Sequence, residues 1–408
     1  MQQKKLSIGL FGFGCVGKGV YDLLSKDDSL ASIKKIVVKT RDKIRTSNFS
    51  VFSFDQEDIL NDDEINLVIE LIDDAAAAFT IVSTAMKKGK AVISANKKMI
   101  AQNFRELLHL QKKYKVPFLY EASCGASIPL IRILEEYYKT CSLHSLEGIV
   151  NGSTNFILTN SLEHKIDCKD ALKEAQALGF AETDPSLDTE GFDAAYKLAI
   201  LTAHAFGKCI EPSEIFRIGI NQLRETDFQY ARREKLKIKL VAIACKDNEG
   251  KLYCMIVPKF IFQDHPLYHV DGVFNGVITK SINGDTQFFS GKGAGALPTA
   301  SAVLSDISAI AHQYKYGYEK YYAGNVPGIK NDFFMKVMVS FSLEKKEDIQ
   351  SWFLAIEESF YNNESGYFTG IISFKNLREL KSLHENISII LFDVWSENVE
   401  NYEIKNLE

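Results

Sequence analysis

The sequence predicts an α/β fold that begins with a doubly wound parallel sheet, continues into a second, mixed α/β domain and ends in a small C-terminal α+β module. Three observations predict it. Strand and helix patterns alternate through the first third of the chain, a glycine-rich turn directly follows the first strand, and the order of elements changes near residue 140. Such alternation requires parallel strands joined by helices that cover both faces of the sheet.

Apolar runs and helical spacing predict the individual elements. In the first third, we expect strands at 6–11, 33–38, 67–72, 91–94 and 116–120. The intervening helices are expected at 17–24, 76–88 and 104–115. Farther along, helices at 169–178 and 191–206 lie among strands at 145–150, 236–245, 252–257 and 277–281. A helix from 299 to about 314 follows a glycine-rich passage, and 320–331 has the composition of a linker.

The overall composition excludes several functional classes. The chain has 408 residues, of which 46% are hydrophobic and 25% charged, so it can bury a sizeable core. A formal net charge of −5 gives no reason to expect a nucleic-acid partner. Neither a signal peptide nor an apolar stretch of about 18 residues is evident, so we expect no membrane contact. Seven scattered cysteines without CxxC spacing favour a reducing, cytoplasmic location.

The glycine-rich turn has the pattern of a dinucleotide-binding loop. It reads Gly12-Phe13-Gly14-Cys15-Val16-Gly17, and it lies between a strand and a helix. The first glycine permits a tight turn, the second lets the backbone approach a pyrophosphate, and the third lets helix and strand pack closely. The alternative is a glycine-rich turn without a ligand. We therefore expect a Rossmann-type dinucleotide-binding domain at 1–140, completed by a helix at about 299–318.

The end of the second strand bears on the choice of cofactor. NAD-binding domains commonly place an acidic residue there, where it bonds the ribose 2′-hydroxyl. This chain instead has Lys39 and Arg41. Either cation could pair with a 2′-phosphate, so the sequence predicts NADP, with NAD possible. The alternative is that both are solvated surface charges.

Three later stretches carry chemically reactive side chains. Residues 93–98 and 120–126 each follow a predicted strand end, where open α/β sheets bind their ligands. Residues 179–197 contain Asp193 and Lys197, four apart and hence on one face of a helix. Taken alone, this spacing fits a surface ion pair. A lysine held near carboxylates could also transfer the proton that reduction of an aldehyde requires.

Together these stretches resemble the homoserine dehydrogenase family over about residues 5–315. The resemblance rests on motifs that occur here in the family's order: the glycine loop, Ala95-Asn96-Lys97, Glu121-Ala122-Ser123-Cys124-Gly125-Ala126, Gly148-Ile149-Val150-Asn151-Gly152-Ser153-Thr154-Asn155-Phe156, the block from Gly179 through Glu182 and Asp193 to Lys197, and Gly293-Ala294-Gly295 with Pro298-Thr299-Ala300-Ser301-Ala302-Val303 and Asp306. It implies reversible NAD(P)-dependent reduction of L-aspartate 4-semialdehyde to L-homoserine in threonine, methionine and isoleucine biosynthesis.

The resemblance also implies roles for single residues. The expected catalytic residues are Lys197, Lys97 and Asp193, with Lys197 as the acid/base. The expected substrate-binding residues are Glu182, Asp193, Lys97, Gly152 and Thr154. Gly293, Gly295 and Lys97 would join the glycine loop in binding the cofactor. Glu121 and the carbonyls of Cys124, Ala126 and Ile128 would hold a monovalent cation, usually sodium; the alternative for Glu121 is a structural carboxylate bonded to backbone amides. Residues 141–298 would form the catalytic and dimerisation domain of a homodimer or homotetramer.

Two departures from the family pattern stand out. Family members carry a Gly-Gly pair after the third strand, near the nicotinamide, where this chain has Asp73-Asp74. Many bacterial relatives end in an ACT regulatory domain with an Asp-x-Pro-Gly-Val segment after its first strand. Residues 329–408 predict strands at 333–341, 366–374 and 387–393 and a helix at 347–359, but no Pro-Gly turn. We expect a degenerate ACT-like module, and we expect threonine at about 1 mM not to inhibit the protein.

Three other interpretations stay open at this point. Cys124 could be the acylating nucleophile of a semialdehyde dehydrogenase. The chain could also be a nucleotide sensor that kept the fold without catalysis. His265 and His269 are four apart and could hold a metal, although Pro266 between them disfavours a regular helix.

Overall fold

The structure is a computed structural model of the chain, and it describes residues 5–26, 29–40, 49–384 and 386–395. The described residues divide into two compact units. The first unit is drawn from the segments Met1–Ser142, Ala199–Pro212 and Gly291–Val326, and the second from Leu143–Leu198, Ser213–Ser290 and Pro327–Glu408. The C-terminal segment therefore groups with the middle of the chain, where the sequence predicts a separate module.

The elements are numbered in chain order. The strands are β1 (Leu6–Phe11), β2 (Ala31–Val37), β3 (Phe52–Ser53), β4 (Leu67–Glu70), β5 (Ala91–Ser94), β6 (Phe118–Leu119), β7 (Leu143–Ile149), β8 (Phe216–Arg217), β9 (Lys237–Lys246), β10 (Leu252–Ile261), β11 (Phe274–Ser281), β12 (Thr286–Lys292), β13 (Phe334–Ser342), β14 (Ala355–Tyr361), β15 (Ser365–Ser373) and β16 (Ser388–Trp395). The α-helices are α1 (Cys15–Leu24), α2 (Glu57–Leu60), α3 (Ala75–Lys87), α4 (Lys97–Gln102), α5 (Phe104–Tyr114), α6 (Leu130–Arg132), α7 (Gly152–His164), α8 (Cys168–Ala177), α9 (Ser186–Thr189), α10 (Phe192–Phe206), α11 (Glu225–Arg233), α12 (Ala296–Ala311), α13 (Glu319–Tyr322), α14 (Lys346–Ser351) and α15 (Phe374–Leu383).

The first unit is built on a parallel sheet with the strand order β3-β2-β1-β4-β5-β6. This is the doubly wound order of dinucleotide-binding sheets, and it confirms the predicted Rossmann-type fold. The order reverses between β1 and β4. In sheets of this kind, ligands bind in the crevice outside the carboxyl ends of the strands at that reversal.

Burial explains why these strands could be recognised in the sequence. β4 and β5 are buried at every position, as parallel strands covered on both faces must be. The same unit includes α12, far along the chain, which packs against α1. A Cβ atom on Gly19 would lie 3.1 Å from the Cβ of Ala300, so glycine permits this close approach of the two helices.

The second unit contains a mixed sheet with the order β12-β11-β7-β9-β10-β16-β13-β15-β14, and β8 pairs with β10. β9 and β10 form a long antiparallel pair, from Lys237↔Ile261 to Lys246↔Leu252. α7 packs against β9 and β11 and begins soon after β7 ends at Ile149. The sheet therefore fixes the first turn of α7, on which several of the expected site residues lie.

The last four strands form a βαββαβ arrangement in the order β16-β13-β15-β14, with antiparallel neighbours. Their core is continuous with that of the preceding strands. One buried apolar cluster includes Val241 and Val257 of β9 and β10 together with Val337, Phe341 and Leu391 of β13 and β16. The C-terminal strands thus share a hydrophobic core with the middle of the chain. Their assignment as an ACT-like module stays a prediction.

One predicted element in this region was wrong. The sequence predicts a helix at 347–359, but α14 ends at Ser351 and the following residues form β14, which pairs with β15. Glutamate-rich sequence favours a helix, yet Ile349 is the buried residue of α14, so there is little apolar face to hold a longer helix. Pairing with β15 stabilises the extended backbone instead.

No helix among the described residues has the length and apolar character needed to cross a bilayer.

Candidate active site

The glycine loop between β1 and α1 has the geometry that dinucleotide binding requires. Gly12 has a φ of +93°, and a Cβ atom there would lie 2.5 Å from the carbonyl oxygen of Leu71. A Cβ atom on Gly17 would lie 2.3 Å from the carbonyl oxygen of Gly12, whereas Gly14 faces open space. No side chain caps the N-terminus of α1. The first amide groups of α1 are therefore available to an anion such as a pyrophosphate.

The other loop residues differ in their surroundings. The ring of Phe13 packs edge-on against Phe52 and Tyr21, with centroid distances of 5.0 and 5.7 Å. Cys15 is exposed and Val16 is half-buried at the start of α1. The ring contacts of Phe13 thus hold the loop in place, while Cys15 is exposed next to Gly14.

Asp74, one of the two acids that depart from the family pattern, caps α3. One of its carboxylate oxygens accepts hydrogen bonds from the amides of Ala76 and Ala77, both at 3.0 Å. These bonds lower the pKa of Asp74, and the charges of Lys39 and Lys98 act in the same direction. The carboxylate is therefore ionised at neutral pH and is directed at the helix.

The two cations expected to select NADP are only partly described. Lys39 is exposed, two residues beyond the end of β2, and its charge contributes to the pKa of Asp74. Arg41 lies outside the described residues.

Lys97 lies at the carboxyl edge of the parallel sheet, as the sequence predicts. It is the first residue of α4 and is half-buried. Asn96 caps this helix by accepting a hydrogen bond from the amide of Met99 at 2.9 Å. At the start of α12, Gly293 is buried and Gly295 has a φ of +124°, a conformation that favours glycine.

The loop expected to hold a monovalent cation surrounds a buried carboxylate. The two carboxylate oxygens of Glu121 accept hydrogen bonds from the amides of Ile131 at 2.8 Å and Arg132 at 2.9 Å. Burial, with a smaller effect of the nearby Asp306, raises the pKa of Glu121 to about 8. Burial also raises the pKa of Asp306 to about 7, although Arg132 donates to it at 2.8 Å. The amide bonds are those expected of a structural carboxylate, and the cation expected at this loop stays a prediction.

The expected carbonyl ligands of the cation belong to the same buried loop. Cys124, Ala126 and Ile128 are all buried, and Ala126 has a φ of +48°. The carbonyl oxygen of Ile128 accepts the amide of Leu130 at 2.8 Å.

In the second unit, Lys197 and Asp193 form a buried ion pair on α10. The Nζ atom of Lys197 donates to Asp193 Oδ2 at 2.7 Å and to the carbonyl oxygen of Val150 at 2.7 Å. Lys197 is 8% exposed and Asp193 is 4% exposed. The interpretation as a solvated surface pair is therefore wrong. Burying two opposite charges requires further hydrogen bonds to stabilise them.

Asn151 supplies further bonds to this pair. Its Nδ2 atom donates to Asp193 Oδ2 at 2.8 Å and to Asp188 Oδ1 at 2.7 Å, while its Oδ1 atom accepts the amide of Thr154 at 2.8 Å. Burial and the charge of Asp193 raise the pKa of Asp188. One amide side chain therefore holds two carboxylates together and caps α7 at the same time.

The remaining expected substrate-binding residues lie near the start of α7 and in the loop after α8. Gly152 is the first residue of α7, and a Cβ atom there would lie 2.9 Å from the carbonyl oxygen of Val273. The hydroxyl of Thr154 is buried and bonds to Asn151. Glu182 is exposed, and its carbonyl oxygen accepts a hydrogen bond from Gln176 Nε2 at 2.9 Å.

Comparison with known proteins decides the family. Residues 12–121 match the family model "Homoserine dehydrogenase, NAD binding domain", and residues 129–308 match the model "Homoserine dehydrogenase". A homoserine dehydrogenase from Helicobacter pylori is 33% identical and aligns with 100% of this chain and 97% of its own. The chain belongs to the homoserine dehydrogenase family. A homoserine dehydrogenase from Bacillus subtilis is 35% identical to this chain, and the alignment covers 77% of this chain and 75% of that protein.

Solved structures of the homoserine dehydrogenase family agree. A homoserine dehydrogenase from Thiobacillus denitrificans superposes with a TM-score of 0.84 and 27% identity, covering 96% of this chain and 98% of that one. A hyperthermophilic archaeal homoserine dehydrogenase, solved as a mutant in complex with NADPH, gives a TM-score of 0.65 and 26% identity, covering 77% of this chain and 99% of that one. The chain is an oxidoreductase with a nicotinamide-cofactor domain.

Family membership removes one of the open interpretations. An acylating semialdehyde dehydrogenase is a different enzyme, and Cys124 is 1% exposed. The proposed histidine pair is judged on its own contacts. His265 Nδ1 accepts the amide of Leu267 at 3.2 Å, so this histidine caps a turn of 3-10 helix. No cluster of three or more acidic, histidine or cysteine side chains able to hold a metal ion occurs in the described part of the chain.

Two residues of the network were not identified as site residues from the sequence. Asn151 belongs to a family motif to which no role is attached, and Asp188 lies within residues 179–197 without being singled out. The spacing of Asn151 and Thr154 is that of an N-cap and its third helical residue, which could have predicted the capping bond. The second use of the Asn151 side chain, as a donor to two carboxylates, depends on tertiary structure.

Proposed function

We propose that the chain catalyses the reversible NADP-dependent reduction of L-aspartate 4-semialdehyde to L-homoserine, with Lys197 as the proton donor. The observation that carries this proposal is the buried Lys197–Asp193 pair, held by Asn151 and the carbonyl oxygen of Val150. The direct test is an assay of L-homoserine oxidation by the purified protein with a nicotinamide cofactor.

The chemistry assigns a task to each group of the network. When bound, a nicotinamide cofactor would supply the hydride for the aldehyde carbon, and the carbonyl oxygen would need a proton. Lys197 gives that proton to the oxygen during reduction and removes it from the hydroxyl during oxidation. Asp193 stabilises the charged ammonium, because an isolated cation at this depth would be costly. The bonds from Lys197 to Asp193 and Val150 fix the position of the ammonium.

The substrate has an ammonium and a carboxylate of its own that must be bound. Glu182 is exposed and negatively charged, and we assign it to the substrate ammonium. The first turn of α7, with Gly152 and Thr154, is suited to the substrate carboxylate, because helix N-termini attract anions. Lys97 is assigned to both substrate and cofactor, since it lies at the sheet edge where ligands bind.

The choice of cofactor gives a first prediction. We expect a higher kcat/KM with NADP⁺ than with NAD⁺, because Lys39 and Arg41 replace the usual acid. Replacing both with alanine should lower this preference by about tenfold, the effect of one charge-assisted hydrogen bond of roughly 1.5 kcal/mol. Initial rates with each cofactor at one ionic strength measure it. Lys87→Ala, at the far end of α3, is the control and should keep the preference. A preference for NAD⁺ that persists in the double variant would contradict the assignment.

A monovalent cation, most simply sodium, would fit the loop at Glu121. Two buried carboxyl groups, of Glu121 and Asp306, lie near the single guanidinium of Arg132, and a bound cation would favour the ionised forms of both acids. The carbonyl oxygens of Cys124, Ala126 and Ile128 are the hard ligands that such an ion prefers. When bound, it would hold this loop in place.

Removal of the cation gives a second prediction. Replacing sodium chloride with tetramethylammonium chloride at equal ionic strength should lower kcat/KM severalfold, because the larger ion cannot take the place of sodium among carbonyl oxygens. Returning sodium or potassium should restore the rate. Equal rates in all three salts, after exhaustive dialysis, would exclude a cation that matters for turnover.

Cellular location and assembly are the last parts of the proposal. We place the enzyme in the cytoplasm as a homodimer or homotetramer. All seven cysteines are free, which is usual in a reducing compartment.

A further inference from the structure

Glu70 is a buried carboxylate at the carboxyl edge of the parallel sheet to which the reaction chemistry assigns no task. It is the last residue of β4 and has no measurable exposure. Its Oε1 atom accepts the amide of Ile72 at 2.7 Å, and its Oε2 atom accepts the hydroxyl of Ser94 at 2.5 Å. Both partners are neutral, and burial raises the pKa of Glu70 to about 7. A carboxyl group held this way is costly to bury, so its position calls for an explanation.

The two bonds link the turns that follow neighbouring strands. Ile72 belongs to the turn after β4, and Ser94 ends β5, the next strand of the sheet. Ser94 Oγ in turn accepts the amide of Asn96 at 3.1 Å. The Nδ2 atom of Asn96 donates back to the carbonyl oxygen of Ile72 at 3.0 Å. Glu70, Ile72, Ser94 and Asn96 therefore form a closed ring of hydrogen bonds.

Both ends of this ring reach groups already assigned to the site. Leu71 is held between Glu70 and Ile72, and its carbonyl oxygen is the atom that a Cβ on Gly12 would strike at 2.5 Å. The amide of Leu71 also donates to the carbonyl oxygen of Phe11 at 2.9 Å. On the other side, Asn96 caps the helix that begins with Lys97. One ring thus fixes the turn packed against the glycine loop and the start of the Lys97 helix.

We infer that Glu70 is a positioning residue, which sets the spacing between the turn after β4 and the Lys97 helix at the crevice where the strand order reverses. This inference rests on the proposed function, since it concerns hydride transfer at that crevice. Misplacing reacting groups by about 1 Å can slow an enzyme as much as ~100-fold without removing any contact to the ligand. Loss of Glu70 should therefore act on turnover more than on binding.

Two substitutions test the ring from opposite sides. Glu70→Gln keeps the shape but replaces one acceptor oxygen with a donor, and Ser94→Ala removes the hydroxyl that joins Glu70 to β5 and Asn96. The matched control is Lys90→Met. Lys90 directly precedes β5 and lies at the opposite edge of the sheet from Glu70. Lys90 is 5% exposed, and its Nζ atom donates to the carbonyl oxygens of Asp62 and Ile65. Its loss should lower the Tm without moving the crevice.

The readouts separate positioning from stability. We expect Glu70→Gln and Ser94→Ala to lower kcat by about tenfold, within the range for a misplaced reacting group. Dissociation constants for NADPH should change little. The primary isotope effect with homoserine deuterated at the carbon that bears the hydroxyl should rise, because hydride transfer becomes slower than the other steps. Lys90→Met should keep the kcat and the isotope effect of the unsubstituted enzyme despite a lower Tm.

Other results would overturn the inference. Turnover within about twofold of the unsubstituted enzyme in Ser94→Ala, or a change confined to NADPH affinity, would mean that the ring only stabilises the fold. If Glu70→Gln does not fold, Ser94→Ala decides alone. Failure of the unsubstituted protein to oxidise homoserine would overturn the proposed function as well, whereas normal turnover in the variants would overturn the role of Glu70 alone.

Discussion

Lys197→Ala is expected to lower kcat by about two orders of magnitude or more and to leave the dissociation constant of the cofactor nearly unchanged. Lys197 donates to Asp193 and to the carbonyl oxygen of Val150, so its ammonium has a fixed position in a buried setting. An ammonium group in a fixed position can give a proton to the substrate oxygen as hydride reaches the carbon. Steady-state kinetics in both directions, with NADPH titration, measure the effect.

The control for this variant is another lysine of the same unit. Lys173→Ala removes a side chain on α8 that is 75% exposed and paired with Asp170 on the surface. It should leave kcat unchanged, because exposed pairs of this kind contribute at most about 1 kcal/mol to stability. Near-normal turnover in Lys197→Ala would show that another group transfers the proton.

Truncation after Gly328 should abolish the folding of the second unit. The removed strands contribute Val337, Phe341 and Leu391 to the core that they share with β9 and β10. Each such side chain stabilises the fold by about 1.5–3 kcal/mol, and a whole domain is stable by only about 5–15 kcal/mol. The truncated chain should be insoluble or aggregated, with no cooperative thermal transition for this unit. Soluble yield, size-exclusion chromatography and thermal unfolding measure it.

A shorter truncation, after Trp395, keeps β13–β16 and serves as the control. It should remain soluble, with a Tm close to that of the full chain. A soluble protein truncated after Gly328 that kept normal turnover would show that the C-terminal strands form an independent domain.

The parallel sheet of the first unit could be predicted closely because its signals are local. Each strand is a short apolar run, and the glycine loop has a spacing with a specific physical meaning. The C-terminal region was harder. The residues of β14 follow a short polar helix and are mostly exposed, so neither burial nor propensity marks them as a strand. Their conformation depends on pairing with β15, which is a tertiary contact.

The sequence predicts which residues belong to the site much better than it predicts their hydrogen-bond partners. The sequence placed Lys197 and Asp193 on one helix face, but only burial shows that the pair is more than a surface ion pair. Each carboxylate oxygen of Glu121 also accepts one backbone amide, from Ile131 and from Arg132, and the spacing of the residues alone did not assign these partners. Hydrogen bonds between residues of different segments depend on the tertiary structure, and the spacing of residues in the sequence does not predict them.

The most direct measurement of the proposed activity is the initial rate of NADPH formation by the purified protein with L-homoserine and NADP⁺, at one salt concentration. We predict saturable, protein-dependent formation of NADPH, coupled to the appearance of L-aspartate 4-semialdehyde. The same protein should oxidise NADPH when the semialdehyde is supplied. Tight binding of NADPH without turnover in either direction would contradict the proposal and indicate a nucleotide-binding protein that kept the fold without the chemistry.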